Sequence, residues 1–145
     1  MPQAGIRAIL QQKMGLDASS LGPELIDRVV LDRMAARSVQ DTHQYEELLR
    51  NGNEMQALID AVIIPETWFF RDGEPFRYLQ QHVLKTWWPQ HPCAKLRALS
   101  IPCSTGEEPY TIAMALFDAG LTQLNFSIDG VDISTRSLEK AKCAA

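Results

Sequence analysis

The stretch LRALSIPCSTGEEPYTIAMALF, residues 96–117, decides the fold of the second half of this 145-residue chain. Its first part, residues 96–102, is short and mostly apolar, which is typical of a buried parallel strand. A polar turn over residues 103–106 leads into a helix, whose apolar face we expect to be formed by Tyr110, Ala113, Met114 and Phe117. The order of strand, turn and helix predicts the first half of a βαβ unit.

The residues that follow supply the rest of that unit. Gly120 is a natural cap for the end of the helix, and FSIDGVDI, residues 126–133, predicts a second strand. Ser134 can cap a further helix that contains Leu138. Because a parallel sheet of two strands has exposed edges, we expect the chain to be part of a longer protein or to complete its sheet with another copy.

The residues that precede the unit indicate short helices. Apolar side chains recur at helical spacing over residues 6–14, 25–34, 45–49 and 55–62. Pro23 suits the first turn of the second of these helices, where its missing N–H costs little. The predicted fold class is α + α/β, with a small helical domain at 1–64, a junction segment and connecting helix at 65–95, and the first part of a Rossmann-like doubly wound domain with an incomplete sheet at 96–145.

The junction carries an unusual aromatic run. Thr67-Trp68-Phe69-Phe70-Arg71 lies between Pro65 and Gly73, two residues that interrupt regular structure. One interpretation is an aromatic plug packed in the core with an arginine at the surface. The other is that this run forms part of a binding site.

Composition excludes several classes of protein. The chain is 46% hydrophobic and 22% charged with a net charge of −4, so no global charge bias points to nucleic acid. No window reaches the roughly 20 apolar residues that a membrane span needs, and the N-terminus lacks a signal sequence, so we expect a cytoplasmic protein without membrane insertion. Cys93, Cys103 and Cys143 are far apart, which predicts neither a disulfide framework nor a metal site.

The turn after the first predicted strand lies where doubly wound folds bind their ligands. Gly106 permits a close backbone approach, but Glu107 and Glu108 occupy the positive end of the helix, where a phosphate would otherwise bind. Neither a P-loop nor the glycine fingerprint of nicotinamide enzymes is present. A ligand with positive charge fits better, such as S-adenosylmethionine with its ammonium and sulfonium groups.

A second acidic residue strengthens this interpretation. Asp132 ends the second predicted strand, 25 residues after Glu107, where a carboxylate can accept both hydrogen bonds of a ribose diol. Each acid alone has a simpler explanation: Glu107 can favour the helix dipole, and Asp132 can cap the next helix. Together they predict a site for a nucleoside that carries an amino-acid tail.

Three motifs resemble the CheR family of chemotaxis receptor methyltransferases. Residues 98–114 resemble the cofactor motif of the family, residues 67–71 its TxFFR segment, and residues 130–134 its ribose-binding strand end. They stand in the family's order behind a helical N-terminal region, and the resemblance covers essentially the whole chain. One departure is Pro65, since members often carry an asparagine there.

The resemblance implies a role for each of four residues. Glu107 would bind the α-amino group of S-adenosylmethionine, and Asp132 its ribose hydroxyls. Thr67 and Arg71 would reach the same pocket from the junction. Arg71 would hold a carboxylate as a bidentate fork, either that of the cofactor or that of the substrate glutamate. A location beside the transferred methyl is favoured, which makes Arg71 the candidate catalytic residue.

The resemblance also implies an activity and partners. The full protein would form glutamate methyl esters on the cytoplasmic helices of methyl-accepting chemoreceptors and release S-adenosylhomocysteine. We expect the 145-residue chain to be an incomplete and inactive fragment that can self-associate through its open sheet edge. The alternative is a non-catalytic module of a signalling protein that binds a receptor or another partner.

Two arginines leave a further choice open. Arg28, Arg33 and Arg37 are mixed with Asp27 and Asp32 in one predicted helix, and Arg33 and Arg37 share a face at i,i+4 spacing. Such mixed charge indicates either a solvated helix face or a contact with the receptor.

Overall fold

The computed structural model describes residues 4–15 and 22–143. These residues form two compact units, the first ending at Ile64 and the second beginning at Pro65. Within the described ranges, no helix is both long and apolar enough to cross a membrane.

The described part of the first unit is helical. Its helices are α1 (Ala4–Met14), α2 (Pro23–Ala36), α3 (Thr42–Asn51) and α4 (Glu54–Val62). Helix α2 begins at Pro23, as its sequence predicts, and Asp41 caps α3 by accepting a hydrogen bond from the Gln44 N–H at 3.2 Å. The periodic apolar side chains meet in one core, which contains Ile6, Leu10, Ile26, Val30, Met34, Tyr45, Leu49, Leu58, Ile59 and Val62.

A buried carboxylate lies beside this core. Glu54 is only 4% exposed and accepts hydrogen bonds from Arg33 at 2.9 and 3.0 Å and from the Tyr45 hydroxyl at 2.9 Å. Arg37 lies 3.3 Å from the second carboxylate oxygen. Arg33 and Arg37 therefore do share a face, but that face is directed at Glu54, where it compensates a buried charge. Periodicity showed that the two arginines align and could not show what lies opposite them.

The second unit contains the predicted βαβ arrangement. Helix α5 (Glu74–His82) continues through a π-helical turn, Val83–Trp87, and a last turn, Trp88–Gln90. Strand β1 (Leu96–Ser100), helix α6 (Glu107–Asp118), strand β2 (Phe126–Gly130) and helix α7 (Thr135–Cys143) follow. The two strands are parallel and in register from Leu96 opposite Phe126 to Ser100 opposite Gly130.

Both strands are shorter than the sequence indicates. Regular pairing stops at Ser100 and Gly130. The backbone beyond remains hydrogen-bonded, since the Val131 N–H donates to Ser100 and the Cys103 N–H donates to Val131, at 3.0 and 2.9 Å. The chain therefore leaves the strands in a fixed conformation, which positions the residues of the turn.

The predicted apolar face of α6 is only partly correct, since Ala113 packs against the core and the Phe117 ring contacts the buried Phe126. The buried residues of the helix are Thr111, Ile112, Ala115 and Leu116, whereas Met114 and Phe117 are 37% and 50% exposed. Helix α6 has two neighbouring apolar stripes, and its contacts with α5 and with both strands select the first. Tyr110 and Ala113 instead line a cavity of about 520 Å³ that α7 also borders.

Candidate cofactor site

The turn after β1 is held in a strained conformation. Ser104 has a φ of 47°, which a residue with a side chain rarely adopts. Its backbone N–H donates a hydrogen bond of 2.8 Å to Asp132 Oδ2. Asp132 therefore joins the turn after β1 to the end of β2.

Asp132 also organises the start of α7. Its Oδ1 accepts a hydrogen bond from the Ser134 N–H at 2.8 Å, and the Ser134 hydroxyl accepts one from the Ser137 N–H at 3.1 Å. Ser134 thus caps α7, as predicted. The alternative reading of Asp132 as a local structural residue is partly correct, yet each of its oxygens has a second lone pair that could accept from a ligand.

Gly106 lies close to helix α7, whereas the sequence suggested a close approach to a ligand. It has a φ of 102°, and a Cβ atom built there would lie 3.1 Å from the Ala141 Cβ and 3.2 Å from the Tyr110 ring. The Tyr110 hydroxyl donates to the Ala141 carbonyl at 3.1 Å. In the described chain, Gly106 therefore lets α7 pack against the turn.

The two glutamates that begin α6 accept hydrogen bonds from different segments. Glu107 accepts a hydrogen bond of 2.7 Å from the Thr105 hydroxyl, and its backbone carbonyl accepts one of 2.6 Å from the Thr111 hydroxyl. Glu108 accepts a hydrogen bond of 2.7 Å from the Ser100 hydroxyl at the end of β1. Both carboxylates thus lie at the carboxyl end of the first strand.

The junction forms a tight turn that contacts α6. Phe70 and Asp72 have positive φ values of 56° and 63°, and the Phe70 N–H donates to the Thr111 hydroxyl at 3.2 Å. Trp68, Phe69 and Phe70 are 52%, 53% and 44% exposed. The interpretation of this run as an aromatic plug in the core is therefore wrong.

Arg71 is fixed within the junction and borders a cavity. Its Nη1 donates to the Glu66 carbonyl at 2.8 Å, and its Cζ lies 4.7 Å from the centroid of the Trp68 ring. Arg71, Asp72 and Glu108 contribute to the lining of a cavity of about 310 Å³. Within the described residues, its other guanidinium N–H groups make no hydrogen bond, so they can bind a carboxylate from outside the chain.

Thr67 is the predicted site residue that the structure does not connect to the others. Its side chain is half-buried, and among the described residues it makes no hydrogen bond. Hydrogen bonds link Asp132 and Glu107 to neighbouring segments, and Arg71 follows one of these segments in the chain. Asp132 is joined to the turn through Ser104, and Glu107 is joined through Thr111 to Phe70, the neighbour of Arg71.

Carboxylates surround the buried Cys103 in the turn after β1. Cys103 is 2% exposed, and the pKa of its thiol is raised, first by burial and then by the charges of Asp132 and Glu108. In the part of the chain that the structure describes, no lysine or arginine forms an ion pair with Glu107, Glu108 or Asp132. An uncompensated group of carboxylates attracts cations and repels phosphates.

S-adenosylmethionine fits this set of side chains. Ionised carboxylates are hydrogen-bond acceptors only, which suits an ammonium group and a ribose diol, and their charge suits a sulfonium. The guanidinium of Arg71 can donate paired hydrogen bonds to a carboxylate. That carboxylate could belong to the amino-acid tail of the ligand or to a side chain that accepts the methyl group.

Sequence reasoning missed two residues of this arrangement. Thr111 was placed outside the predicted buried face, although it stands four residues after Glu107 and therefore on the same side of α6. Trp68 was noted only as part of an aromatic run, although an aromatic three residues from an arginine can stack on its guanidinium.

The parallel pair of strands and the carboxylates at its carboxyl end are consistent with part of a domain that binds S-adenosylmethionine. Residues 65–145 match the family described as CheR methyltransferase, SAM binding domain, and the chain belongs to this family. The cofactor of the domain is therefore S-adenosylmethionine.

Known relatives agree with this assignment. The chain is 47% identical over 135 residues to the "Probable biofilm formation methyltransferase WspC" of Pseudomonas aeruginosa, an alignment that covers 92% of this chain and 32% of that protein. It is 34% identical to the "Chemotaxis protein methyltransferase 2" of Vibrio cholerae, over 93% of this chain and 49% of the relative. The "Chemotaxis protein methyltransferase" of Salmonella typhimurium is 31% identical, with 92% and 46% covered. The chain thus spans between a third and a half of the length of these relatives.

Proposed function

We propose that the protein carrying this chain transfers the methyl group of S-adenosylmethionine to glutamate carboxylates on the cytoplasmic helices of methyl-accepting receptors. Membership of the CheR family and the names of the relatives support this activity. We further propose that the enzyme acts in the cytoplasm, where those receptor helices lie.

One structural observation carries the proposal. A hydrogen-bonded path runs from the Phe70 N–H through the Thr111 hydroxyl to Glu107, and the neighbouring turn is bonded to Asp132. The path brings the junction to the same end of the sheet as the two acids. It supports a single pocket built from residues that are distant in sequence.

Each predicted residue has a role that its chemistry can support. Glu107 would accept hydrogen bonds from the α-ammonium of the cofactor, and Asp132 from its ribose hydroxyls. Thr67 would contribute a hydroxyl from the junction. Arg71 would bind the glutamate carboxylate of the receptor, since its free donors border the cavity that Glu108 also lines.

The reaction depends more on aligning the glutamate carboxylate with the methyl group than on acid–base catalysis. When bound, the cofactor supplies a methyl group activated by its sulfonium. A glutamate side chain is ionised near neutral pH, so it needs no general base. Arg71 would orient this carboxylate and exclude water from it, while Trp68 holds the guanidinium in place. An arginine that bound too tightly would reduce the nucleophilicity of the carboxylate.

The relatives favour one receptor class over another. Identity is higher to two proteins named for biofilm formation, at 47% and 46%, than to the chemotaxis enzymes. We therefore propose that the substrate is a receptor of a biofilm-forming pathway, with a chemotaxis receptor as the second candidate. A second copy of the chain at the open sheet edge is a further proposed partner of the isolated polypeptide.

A labelled-methyl assay tests the proposed activity. The full protein encoded by the gene is incubated with labelled S-adenosylmethionine and with membranes that contain one receptor of either class. The proposal expects base-labile label on the receptor, and loss of that label when Arg71 is changed to alanine. Wild-type protein that leaves both receptors unlabelled, although it binds S-adenosylhomocysteine, would contradict the proposed substrate.

A further inference from the structure

A single buried hydroxyl connects the junction to the first residue of α6. Thr111 is 0% exposed, and its Oγ1 accepts a hydrogen bond from the Phe70 N–H at 3.2 Å. The same oxygen donates its proton to the Glu107 carbonyl at 2.6 Å. Both hydrogen-bonding roles of the hydroxyl are thus in use, one with the distant junction and one with the first turn of its own helix.

On the junction side, the hydroxyl holds a strained residue. Phe70 has a φ of 56°, which is uncommon for an aromatic side chain. Its carbonyl accepts a hydrogen bond from the Gly73 N–H at 3.0 Å, which closes the turn around Arg71. The hydrogen bond from the Phe70 N–H to Thr111 links this turn directly to α6, one residue before Arg71.

On the helix side, the hydroxyl acts on the residue that is proposed to bind the cofactor. A threonine hydroxyl that bonds the carbonyl four residues earlier is a familiar local interaction and slightly bends a helix. Here that carbonyl belongs to Glu107, whose carboxylate accepts from Thr105. The Thr111 hydroxyl therefore contacts both the turn of Arg71 and the start of α6, beside the apolar packing of Phe76 and Leu79 on the core that contains Ile112.

We infer that Thr111 is a positioning residue that sets Arg71 relative to the cofactor-binding end of α6. The inference rests on the proposed function, since it concerns the alignment of the two reacting groups. Thr111 is buried behind the site and touches the turn and the helix backbone, so it acts through Arg71 and Glu107. A misplacement of about 1 Å can lower a rate by as much as about 100-fold, which makes such a contact consequential.

Three variants separate positioning from packing. Thr111→Val keeps the shape and the β-branch and removes the hydroxyl, whereas Thr111→Ser keeps the hydroxyl. Thr86→Val is the matched control, because Thr86 is exposed in the π-helical turn that follows α5. Each is made in the full protein encoded by the gene.

Two measurements are made on every variant. Without cofactor, hydrogen exchange is followed by mass spectrometry in peptides that cover residues 66–72; we expect exchange at least about 10-fold faster in Thr111→Val, since the Phe70 N–H loses its acceptor. With cofactor, we expect kcat to fall by about 10-fold while KM for S-adenosylmethionine changes by less than about threefold, since Asp132 and Glu107 remain. Thr111→Ser and Thr86→Val should behave as wild type in both measurements.

The outcomes distinguish the inference from the proposed function. Unchanged exchange and kcat in Thr111→Val overturn the inference, and so does a lower melting temperature with normal kcat. If Thr111→Val does not fold, Thr111→Ala provides the same test, and loss of folding in both variants assigns Thr111 a purely structural role. Wild-type protein that shows the protected junction and yet neither binds S-adenosylhomocysteine nor methylates a receptor refutes the proposed function.

Discussion

At the scale of single residues, Asp132 has an observed structural role beside the ribose-binding role that is proposed for it. Asp132 accepts two backbone N–H groups from separate segments, at 2.8 Å each. Such bonds restrict the carboxylate to one orientation before any ligand arrives. A fixed acceptor loses little entropy on binding, which is the advantage of preorganisation.

Replacing Asp132 by asparagine should therefore weaken cofactor binding. The amide keeps one acceptor oxygen and loses the charge, so we expect the affinity for S-adenosylhomocysteine to fall by at least about 10-fold, as for a charged hydrogen bond worth about 1.5–3 kcal/mol. Asp129→Asn is the control, because Asp129 lies on β2 and pairs with Arg97 at 3.1 Å on the exposed face of the sheet. Calorimetric titration of both variants provides the measurement, and equal affinities would count against the ribose role of Asp132.

The buried Tyr45 should make the folding stability of the first unit depend on pH. Burial, and then its hydrogen bond to Glu54, raises the pKa of Tyr45 above the ordinary value of 10.0. The folded state thus holds this proton more tightly than the unfolded state. The contribution of Tyr45 to stability is complete below pH 10 and is lost as the pH rises further, by at most about 1.4 kcal/mol per pH unit.

Chemical denaturation at a series of alkaline pH values tests this prediction. The free energy of unfolding of Tyr45→Phe should fall less steeply above pH 10 than that of the wild type, because the variant has no phenol to ionise. Tyr78→Phe, at a side chain that is 71% exposed, is the matched control and should keep the wild-type slope. Parallel curves for wild type and Tyr45→Phe would disprove the coupling.

At the scale of helices and strands, the sequence predicted the elements better than their contacts. The βαβ unit and the cap at Ser134 follow from hydrophobic patterning and from a residue type that favours helix ends. The buried face of α6 could not be predicted in the same way, because Ile112 and Leu116 form one apolar stripe and Met114 and Phe117 another. The choice depends on α5, whose position relative to α6 is a tertiary property.

The same distinction applies to the site. Glu107, Arg71 and Asp132 could be selected from motifs and from their places at strand ends. The contact between Phe70 and Thr111 spans 41 positions, and no local pattern encodes a bond of that kind. Arg33 and Arg37 show the limit again, since their alignment was predictable and their partner Glu54 was not.

The close packing of α7 on the turn should make the stability of the protein sensitive to a side chain at position 106. With a φ of 102° and α7 within 3.1 Å of a Cβ atom, Gly106→Ala combines backbone strain with a steric clash. Gly120→Ala provides the strain alone, because Gly120 has a φ of 86° and open space around it. We expect Gly120→Ala to cost about 1–2 kcal/mol of stability and Gly106→Ala about 1–3 kcal/mol more.

A double variant identifies the clash. Ala141→Gly removes the Cβ atom that lies 3.1 Å from the new side chain, so it should recover part of the loss in Gly106→Ala. The same change should not improve Gly120→Ala. Equal melting temperatures for the two single alanine variants would show that packing at Gly106 contributes nothing.

At the scale of the whole molecule, the described residues cover one face of the sheet and leave apolar side chains exposed on the other. Phe126 and Leu116 belong to the core on the α6 side. On the opposite side Leu99 and Ile101 are 59% and 62% exposed. In the described residues, the outer edges of β1 and β2 also lack a neighbouring strand. An apolar face beside open edges favours association between chains.

The 145-residue polypeptide prepared alone is therefore expected to self-associate, with a sedimentation mass that rises with concentration. Leu99→Lys places a charge on the exposed sheet face and should shift the equilibrium toward monomer, since a buried lysine would have to lose its hydration. Leu84→Lys is the control, because Leu84 is 48% exposed in the π-helical turn after α5 and away from the strands. If wild type and both variants sediment as monomers at every concentration, the exposed face and edges do not drive association.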